Sequence, residues 1–256
     1  MTVHHRVDGR PDAPALVLSG ALGTTLAMWE PQLPALAGRF TVVRYDHPGH
    51  GGSAVPDRRL SIGELGHAVL GLIDELGLER VSFCGLSLGA LVGMWLGSRA
   101  PERLVRLVLC CTAARFPPPE RWDERAATVR REGMEAIADA QLARWFTARF
   151  RAASPGVVAQ YRRMLASIPA EGYALGCETV RDADLRDALG AIAVPTLVVA
   201  GSDDPTVAPA AVEELLEGIP GARLVELPGA GHLANAEQPD AFTDALLSQL
   251  GAAAVT

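Results

Sequence analysis

The stretch Val81-Ser82-Phe83-Cys84-Gly85-Leu86-Ser87-Leu88-Gly89-Ala90 constrains this chain more than any other. It reads as a short apolar strand that runs into Gly-x-Ser-x-Gly and continues at once as a helix. That order specifies a nucleophile elbow, a tight strand-to-helix turn that lifts one serine hydroxyl above a sheet. The pentapeptide alone is a weak signal. Ten serines, each with roughly a one-in-ten chance of glycine at either flanking position, give about 0.1 accidental matches in such a chain. The elbow therefore gains meaning only from what surrounds it, since the bland alternative is a solvent-facing serine in a glycine-rich turn.

The surroundings alternate strand and helix. Thr2 to Val7 reads as an edge strand closing on the turn signal Asp8-Gly9, and Ala15-Leu16-Val17-Leu18 as a strand buried on both faces. A short helix broken by Pro31 and Pro34 follows, then a strand from Phe40 to Tyr45 and the long turn Asp46-His47-Pro48-Gly49-His50-Gly51-Gly52-Ser53. Ser61-x-x-Glu64 is a capping box opening a helix whose apolar positions Leu65, Val69, Leu72, Ile73 and Leu76 keep helical spacing until Gly77 stops it. After the elbow come an apolar helix to Arg99 and a strand from Leu104 to Cys111. Further strands at Pro195–Gly201 and Ala222–Leu227 flank a helix near Ala210–Glu217, and Pro239–Leu250 is a closing helix. This alternation predicts a doubly wound, mostly parallel sheet.

One segment breaks the rhythm. From Arg115 to about Asp187 no apolar strand occurs, and Met134, Ile137, Ala138, Leu142, Trp145 and Phe146 share a helical face. The expected organisation is a core formed by residues 1–114 and 188–256, with a helical cap of residues 115–187 inserted between two core strands.

With 256 residues, 49% of them hydrophobic, the chain can bury one large core, so a single α/β domain with an insertion is expected. No run of eighteen apolar residues predicts a membrane span, and Met1-Thr2-Val3-His4-His5-Arg6 lacks the layout of a signal peptide; a cytoplasmic protein is expected. Cys84, Cys110, Cys111 and Cys177 form no Cys-x-x-Cys and read as buried thiols. A net charge of −7 disfavours nucleic acid as a partner. All 23 basic residues are arginine, which carries no functional message by itself.

A serine hydroxyl needs a histidine to take its proton, and the histidine needs an acid to fix its tautomer and stabilise the imidazolium. In this architecture the partners follow later strands, in the order serine, acid, histidine. Of the six histidines only His232 follows the last strand, in the loop Gly229-Ala230-Gly231-His232; His47 and His50 read as turn residues. The strand ending at Gly201 opens into Ser202-Asp203-Asp204-Pro205, which offers two acids, whereas Cys111-Thr112-Ala113-Ala114 offers none. A tetrahedral intermediate needs two backbone N–H donors. Position assigns one to Leu88 and the other to the loop after the first core strand, with Ala21 first and Leu22 next.

On these residues the chain resembles the α/β-hydrolase superfamily and, within it, the 3-oxoadipate enol-lactonases. The oxyanion segment Ser19-Gly20-Ala21-Leu22-Gly23-Thr24, with Met28-Trp29-x-Pro31-Gln32, and the elbow Phe83–Gly89 are similar to that family's. So are Arg131-Glu132-Gly133-Met134, Arg144-Trp145-Phe146-Thr147, Glu171-Gly172-Tyr173 and Asp182-Ala183-Asp184-Leu185-Arg186. Gly201-x-x-Asp204-Pro205 and His232-Leu233-x-Asn235-x-Glu237-Gln238-Pro239 complete the likeness. The family usually carries Asn where Gly20 stands, Met where Leu88 stands and Arg where Pro48 stands.

The resemblance implies that Asp204, three residues after the glycine, is the acid and His232 the base. It implies hydrolysis of an enol-lactone to 3-oxoadipate in aromatic-compound breakdown, through an acyl-enzyme on Ser87, with no metal or organic cofactor; the alternatives are a capped esterase, another lactonase or a carbon–carbon hydrolase with the same triad and, last, a non-catalytic ligand-binding homologue. Such a substrate is a small lactone bearing a carboxylate, for which a cationic anchor is expected. Between Arg115 and Arg163 the cap holds ten Arg against six Asp or Glu. Arg144 beside Trp145 is the preferred anchor, with Trp122 as a wall and Leu22 at the pocket's edge, because a planar guanidinium suits a carboxylate. The competing expectation is that these arginines are solvated helix faces and the tryptophans are cap core.

Overall fold

A computed structural model describes residues 2–251. Seven strands form one sheet: β1 (His5–Gly9), β2 (Ala15–Ser19), β3 (Thr41–Tyr45), β4 (Val81–Leu86), β5 (Leu104–Cys110), β6 (Thr196–Gly201) and β7 (Arg223–Leu227). Their order is β1-β3-β2-β4-β5-β6-β7, with β1 antiparallel to β3 and all other pairs parallel. The continuous apolar runs are the central strands, and β3, β4 and β6 are buried along their whole length.

Eleven α-helices accompany the sheet among the described residues. They are α1 (Leu33–Leu36), α2 (Ile62–Glu75), α3 (Leu88–Arg99), α4 (Pro119–Glu132), α5 (Glu135–Trp145), α6 (Ala148–Ala153), α7 (Pro155–Ala166), α8 (Ala170–Asp182), α9 (Pro209–Gly218), α10 (Ala234–Glu237) and α11 (Pro239–Leu250). The capping box of Ser61 and Glu64 forms at the start of α2, and Gly77 ends that helix region at φ +66°. The segment broken by Pro31 and Pro34 is a 3-10 turn, Leu26–Gln32, followed by α1. The four cysteines are free and buried. No helix among the described residues is long and apolar enough to cross a membrane.

The first strand departs from its expected bounds. It begins at His5 and runs through Asp8 and Gly9, because those two residues pair with Val42 and Thr41 of β3. The turn comes later, where Ala13 N–H bonds to the Arg10 carbonyl at 3.2 Å. Antiparallel pairing with β3, absent from the local pattern, sets that end.

Between β5 and β6 the chain makes α4 to α8 and no strand. The apolar face expected there is real: Met134, Ile137, Ala138, Leu142, Trp145 and Phe146 are all buried. The helical block leaves and rejoins the sheet at one point, where Arg115 and Asp184 form an isolated bridge and Leu185 N–H bonds to the Ala114 carbonyl at 3.0 Å.

The topology decides where chemistry can occur. After β2 the chain steps to β3 on one side, then crosses back to lay β4 on the other side of β2. The loops leaving β2 and β4 therefore abut at a switch point, the place where open α/β sheets form their crevice. Those loops carry Ala21-Leu22 and Ser87.

Candidate active site

Ser87 joins β4 to α3 at φ 56°, ψ −111°, a left-handed conformation unusual for a non-glycine residue and costing about 1–3 kcal/mol. Its neighbours make the turn possible. A Cβ on Gly85 would lie 2.2 Å from the Gly89 carbonyl oxygen, and one on Gly89 would lie 2.2 Å from that of Ser19. Glycine at both positions lets helix, strand and the β2 loop approach within backbone contact. Ser87 N–H bonds to the Cys110 carbonyl at 2.9 Å and Gly89 N–H to the Gly20 carbonyl at 3.0 Å, so the strained turn is held from both flanking strands.

The loop after β7 brings His232 over the serine. Its Nε2 lies 3.1 Å from Ser87 Oγ, and its Nδ1 lies 2.7 Å from Asp204 Oδ2. The Asp204 side chain is 2% exposed, and its other oxygen accepts the Thr206 N–H at 2.7 Å. Asp203 instead turns outward, where its carboxylate accepts the Ser202 hydroxyl at 3.0 Å. Of the two acids, the structure brings only Asp204 to the histidine. Serine, imidazole and carboxylate thus form one continuous hydrogen-bonded chain, in which Nε2 can accept the serine proton while Nδ1–H donates to the acid.

Two motif residues whose roles the sequence did not specify hold the histidine loop. Buried Glu237 accepts the Gly231 N–H at 3.0 Å and the Thr147 N–H at 3.3 Å, and also the Thr147 hydroxyl. Asn235 Nδ2 donates to the Met28 carbonyl at 2.9 Å, and Gln32 Nε2 returns a bond to the Asn235 carbonyl at 2.8 Å. Leu233 N–H adds a bond to the Trp145 carbonyl at 3.0 Å. The loop is anchored both to the helical block and to the segment after β2.

The β2 loop rests on His47 and His50, two histidines whose local sequence marks only a turn. His47 Nε2–H donates to the Gly20 carbonyl at 3.0 Å, and His50 Nε2 accepts the Gly23 N–H at 3.1 Å. Burial lowers both pKa values to about 4, His47 with a further push from His50, so both are neutral at pH 7. The Ala21 N–H, expected as an oxyanion donor, is directed at Met28 Sδ, 3.4 Å away. The Leu22 and Leu88 N–H groups have no acceptor among the described residues. The free donor on this loop is therefore one residue later than expected, because a thioether packs under Ala21. A Cβ at position 20 would sit 2.9 Å from the Met28 sulfur and 2.9 Å from Thr24 Oγ1, side-chain atoms that would have to shift to admit it.

The cavity beside Ser87 and His232 is lined by Ala21, Leu22, Trp122, Arg125, Gln141, Arg144, Trp145 and Thr206. The structure thus gathers Ser87, His232, Ala21, Leu22, Trp122, Arg144 and Trp145 around one cavity, while Leu88 and Asp204, also expected at the site, lie outside its lining. It adds Arg125, which is buried, and Gln141. Arg125 was legible in principle: it lies three residues after Trp122 and four before Val129, on the buried stripe of α4. Its guanidinium stacks 4.7 Å from the Trp122 ring centroid, and Trp122 Nε1–H is fixed to the Phe116 carbonyl at 2.9 Å. Arg125 and Arg144 form no ion pair with any described residue. The cavity measures about 20 Å³, space for roughly one water.

A strained serine in hydrogen-bonded series with histidine and acid, on this sheet order, defines an α/β hydrolase, and comparison agrees. Residues 14–239 match the family model described as the alpha/beta hydrolase fold. The chain belongs to that family, and within it to the branch that resembles 3-oxoadipate enol-lactonases. It is 39% identical to 3-oxoadipate enol-lactonase 2 of Acinetobacter baylyi over 96% of this chain and 92% of that one. A crystal structure of the enol-lactonase from Burkholderia xenovorans superposes with a TM-score of 0.95 at 46% identity, covering 97% of this chain and 96% of that one. A protein assigned as a carbamate hydrolase, RutD, from Agrobacterium fabrum is 32% identical over 97% of this chain and 98% of that one. The chain is a hydrolytic enzyme of the α/β-hydrolase class.

Proposed function

We propose that this enzyme opens the enol-lactone of 3-oxoadipate, a step of aromatic-compound breakdown in the cytoplasm, with Ser87 as nucleophile, His232 as general base and acid, and Asp204 as the orienting carboxylate. The observation that carries the substrate class is the juxtaposition of Ser87 and His232 with two arginines, Arg125 and Arg144, that face them across one cavity without a protein counter-charge. A carboxylate-bearing ester supplies what that cavity lacks. The enol-lactonase relatives point to the same class.

In this mechanism His232 Nε2 takes the Ser87 proton as Oγ attacks the lactone carbonyl. The N–H groups of Leu88 and Leu22 receive the oxyanion, a contribution on the order of 3 kcal/mol for each donor. Collapse breaks the ring ester bond, and His232 protonates the enol oxygen, which remains tethered to the acyl group and ketonises. Water deprotonated by His232 then attacks the acyl-enzyme and releases the carboxylate. Arg125 and Arg144 hold the substrate's existing carboxylate, Gln141 offers a side-chain amide beside them, and Trp122, Trp145 and Leu22 form the apolar walls. Residues 115–187 act as a cap over the core of residues 1–114 and 188–256.

The test is a substrate panel. The enol-lactone should be hydrolysed with kcat/KM at least about a hundredfold above 4-nitrophenyl acetate and above a simple N-alkyl carbamate. A preference for the aryl ester would move the enzyme to the general esterases, and a preference for the carbamate would move it toward the RutD-like relatives.

A further inference from the structure

Behind the arginines that face Ser87 lies a second cavity. It is a basin of about 190 Å³ between α4 and α5, lined by Arg121, Glu124, Arg125, Thr128, Ala136, Ile137, Ala140 and Arg144. Helical spacing builds it: Arg121, Arg125 and Thr128 fall on one stripe of α4, while Ala136, Ala140 and Arg144 are four apart on α5. Arg125 and Arg144 line both this basin and the catalytic cavity, so the two spaces share one wall made of guanidinium groups.

Three cations meet here with no carboxylate ion-paired to them, their closest relief being the buried Tyr173 phenol beside Arg125. Arg125 is only 8% exposed, and its Nη2 is buried with no hydrogen-bond partner; Arg121 Nε is buried and unpartnered as well. None of the three arginines forms an ion pair with a described residue, including Glu124, whose side chain sits on the exposed rim. Both Arg121 and Arg125 lie over the Trp122 ring, at 5.5 and 4.7 Å, which fixes their planes while leaving N–H donors free. Burial, followed by the charge of Arg125, disfavours the cation of Arg144, and burial together with Arg125 and Arg144 does the same to Arg121. Arginine cannot relieve such a cluster by losing a proton, so relief has to come from an anion.

We propose that the basin between α4 and α5 is a second carboxylate-binding site, which adds Arg121 to the outer edges of Arg125 and Arg144 and takes a small dicarboxylate. The ligand class rests on the lactonase reading: hydrolysis turns a monoanionic ester into a dianion, and the basin is where the additional charge meets its complement next to the chamber in which it is made. The planar guanidinium groups suit carboxylate forks, and Thr128 adds a hydroxyl at the basin's edge.

Succinate binding to enzyme whose Ser87 has been phosphonylated tests the site, because the adduct occupies the catalytic cavity and leaves the basin open. Calorimetry at low ionic strength should show one equivalent of succinate bound. Arg121→Gln should weaken that binding at least about tenfold, the loss of roughly one charge-assisted contact. Ala140→Phe, which fills the basin from an exposed position and keeps every charge, should weaken it comparably. Absence of binding to the phosphonylated enzyme, or unchanged affinity in both variants, overturns the site. The outcomes separate from those of the substrate panel. Lactone turnover without succinate binding removes the basin and leaves the activity, whereas succinate binding without lactone turnover removes the lactonase reading and leaves the basin.

Discussion

The histidines that form a floor under the β2 loop and the arginines that roof the cavity beside Ser87 are all withdrawn from solvent to some degree and all cationic in potential, yet they answer burial in opposite ways. On the floor, His47 and His50 shed their protons: desolvation depresses each to about pKa 4, and the neutral rings brace the β2 loop through the Gly20 carbonyl and the Gly23 N–H. In the roof, Arg125 and Arg144 keep their charge, since guanidinium remains protonated in any protein environment. The floor is therefore complete as it stands, whereas the roof holds positive charge with no ion-pair partner among the described residues. A residue that can neutralise itself serves as scaffold; one that cannot becomes a request for a ligand. The exterior of the same helical block supplies a control. There Arg130 meets Glu171 and Glu178 at 2.7 and 2.5 Å, and Arg181 meets Asp123 at 2.5 Å, so those guanidinium groups need nothing further.

The largest effect should come from the group between floor and roof. Ser87→Ala is expected to lower kcat on the order of 10⁴-fold or more while leaving lactone binding within a few-fold, measured by single-turnover kinetics and equilibrium titration. Retained turnover would disconnect the whole comparison from chemistry.

The floor breaks with acid. Because the folded pKa values of His47 and His50 lie below the ordinary 6.5, the unfolded chain binds their protons first as pH falls. Their contribution is fully present above pH 6.5 and is lost progressively between 6.5 and about 4, on the order of 1–2 kcal/mol for each by pH 5. Thermal unfolding followed from pH 7.5 to 5 should show a falling Tm, and His50→Gln should flatten that fall. A profile unchanged by the substitution would mean that His50 is not held neutral.

The roof is sharpened by substrate charge. Arg144→Ala should raise KM for the carboxylate-bearing lactone about tenfold and change hydrolysis of a neutral aryl ester less than about twofold. Equal losses on both would make Arg144 a packing residue. Smallest of all is the exterior control: Arg130→Ala should shift stability by about 1 kcal/mol or less and leave both activities alone, as expected for exposed ion pairs.

Much of this was legible beforehand, and the parts that were not share a cause. The elbow, the capping box at Ser61 and Glu64, the helix over Pro239–Leu250 and the strandless stretch after Arg115 are written in local spacing, and the fold follows them. Topology fixes which loops overhang β4 and so pointed to His232 and to the pair Asp203 and Asp204, and the family resemblance chose Asp204 between them. What escaped depends on side chains that meet from distant segments. The choice between Ala21 and Leu22 as donor turns on where the Met28 sulfur lies. The burial of His47 and His50 appears only when the block closes over their turn, where Gly172 backs directly onto Gly49. Arginine count could not separate inward from outward guanidinium groups, because ten against six describes a segment and pairing describes a place.

The ties between Glu237, Thr147 and Gly231, with the Leu233 bond to Trp145, have a mechanical consequence. The chamber beside Ser87 measures about 20 Å³, and Trp145, itself buried, forms part of its wall. That residue's carbonyl holds the loop on which His232 sits. Trp145 thus serves two places at once: its side chain lines the cavity beside Ser87, and its carbonyl anchors the loop that carries His232, so the helical block and that loop are tied at one residue.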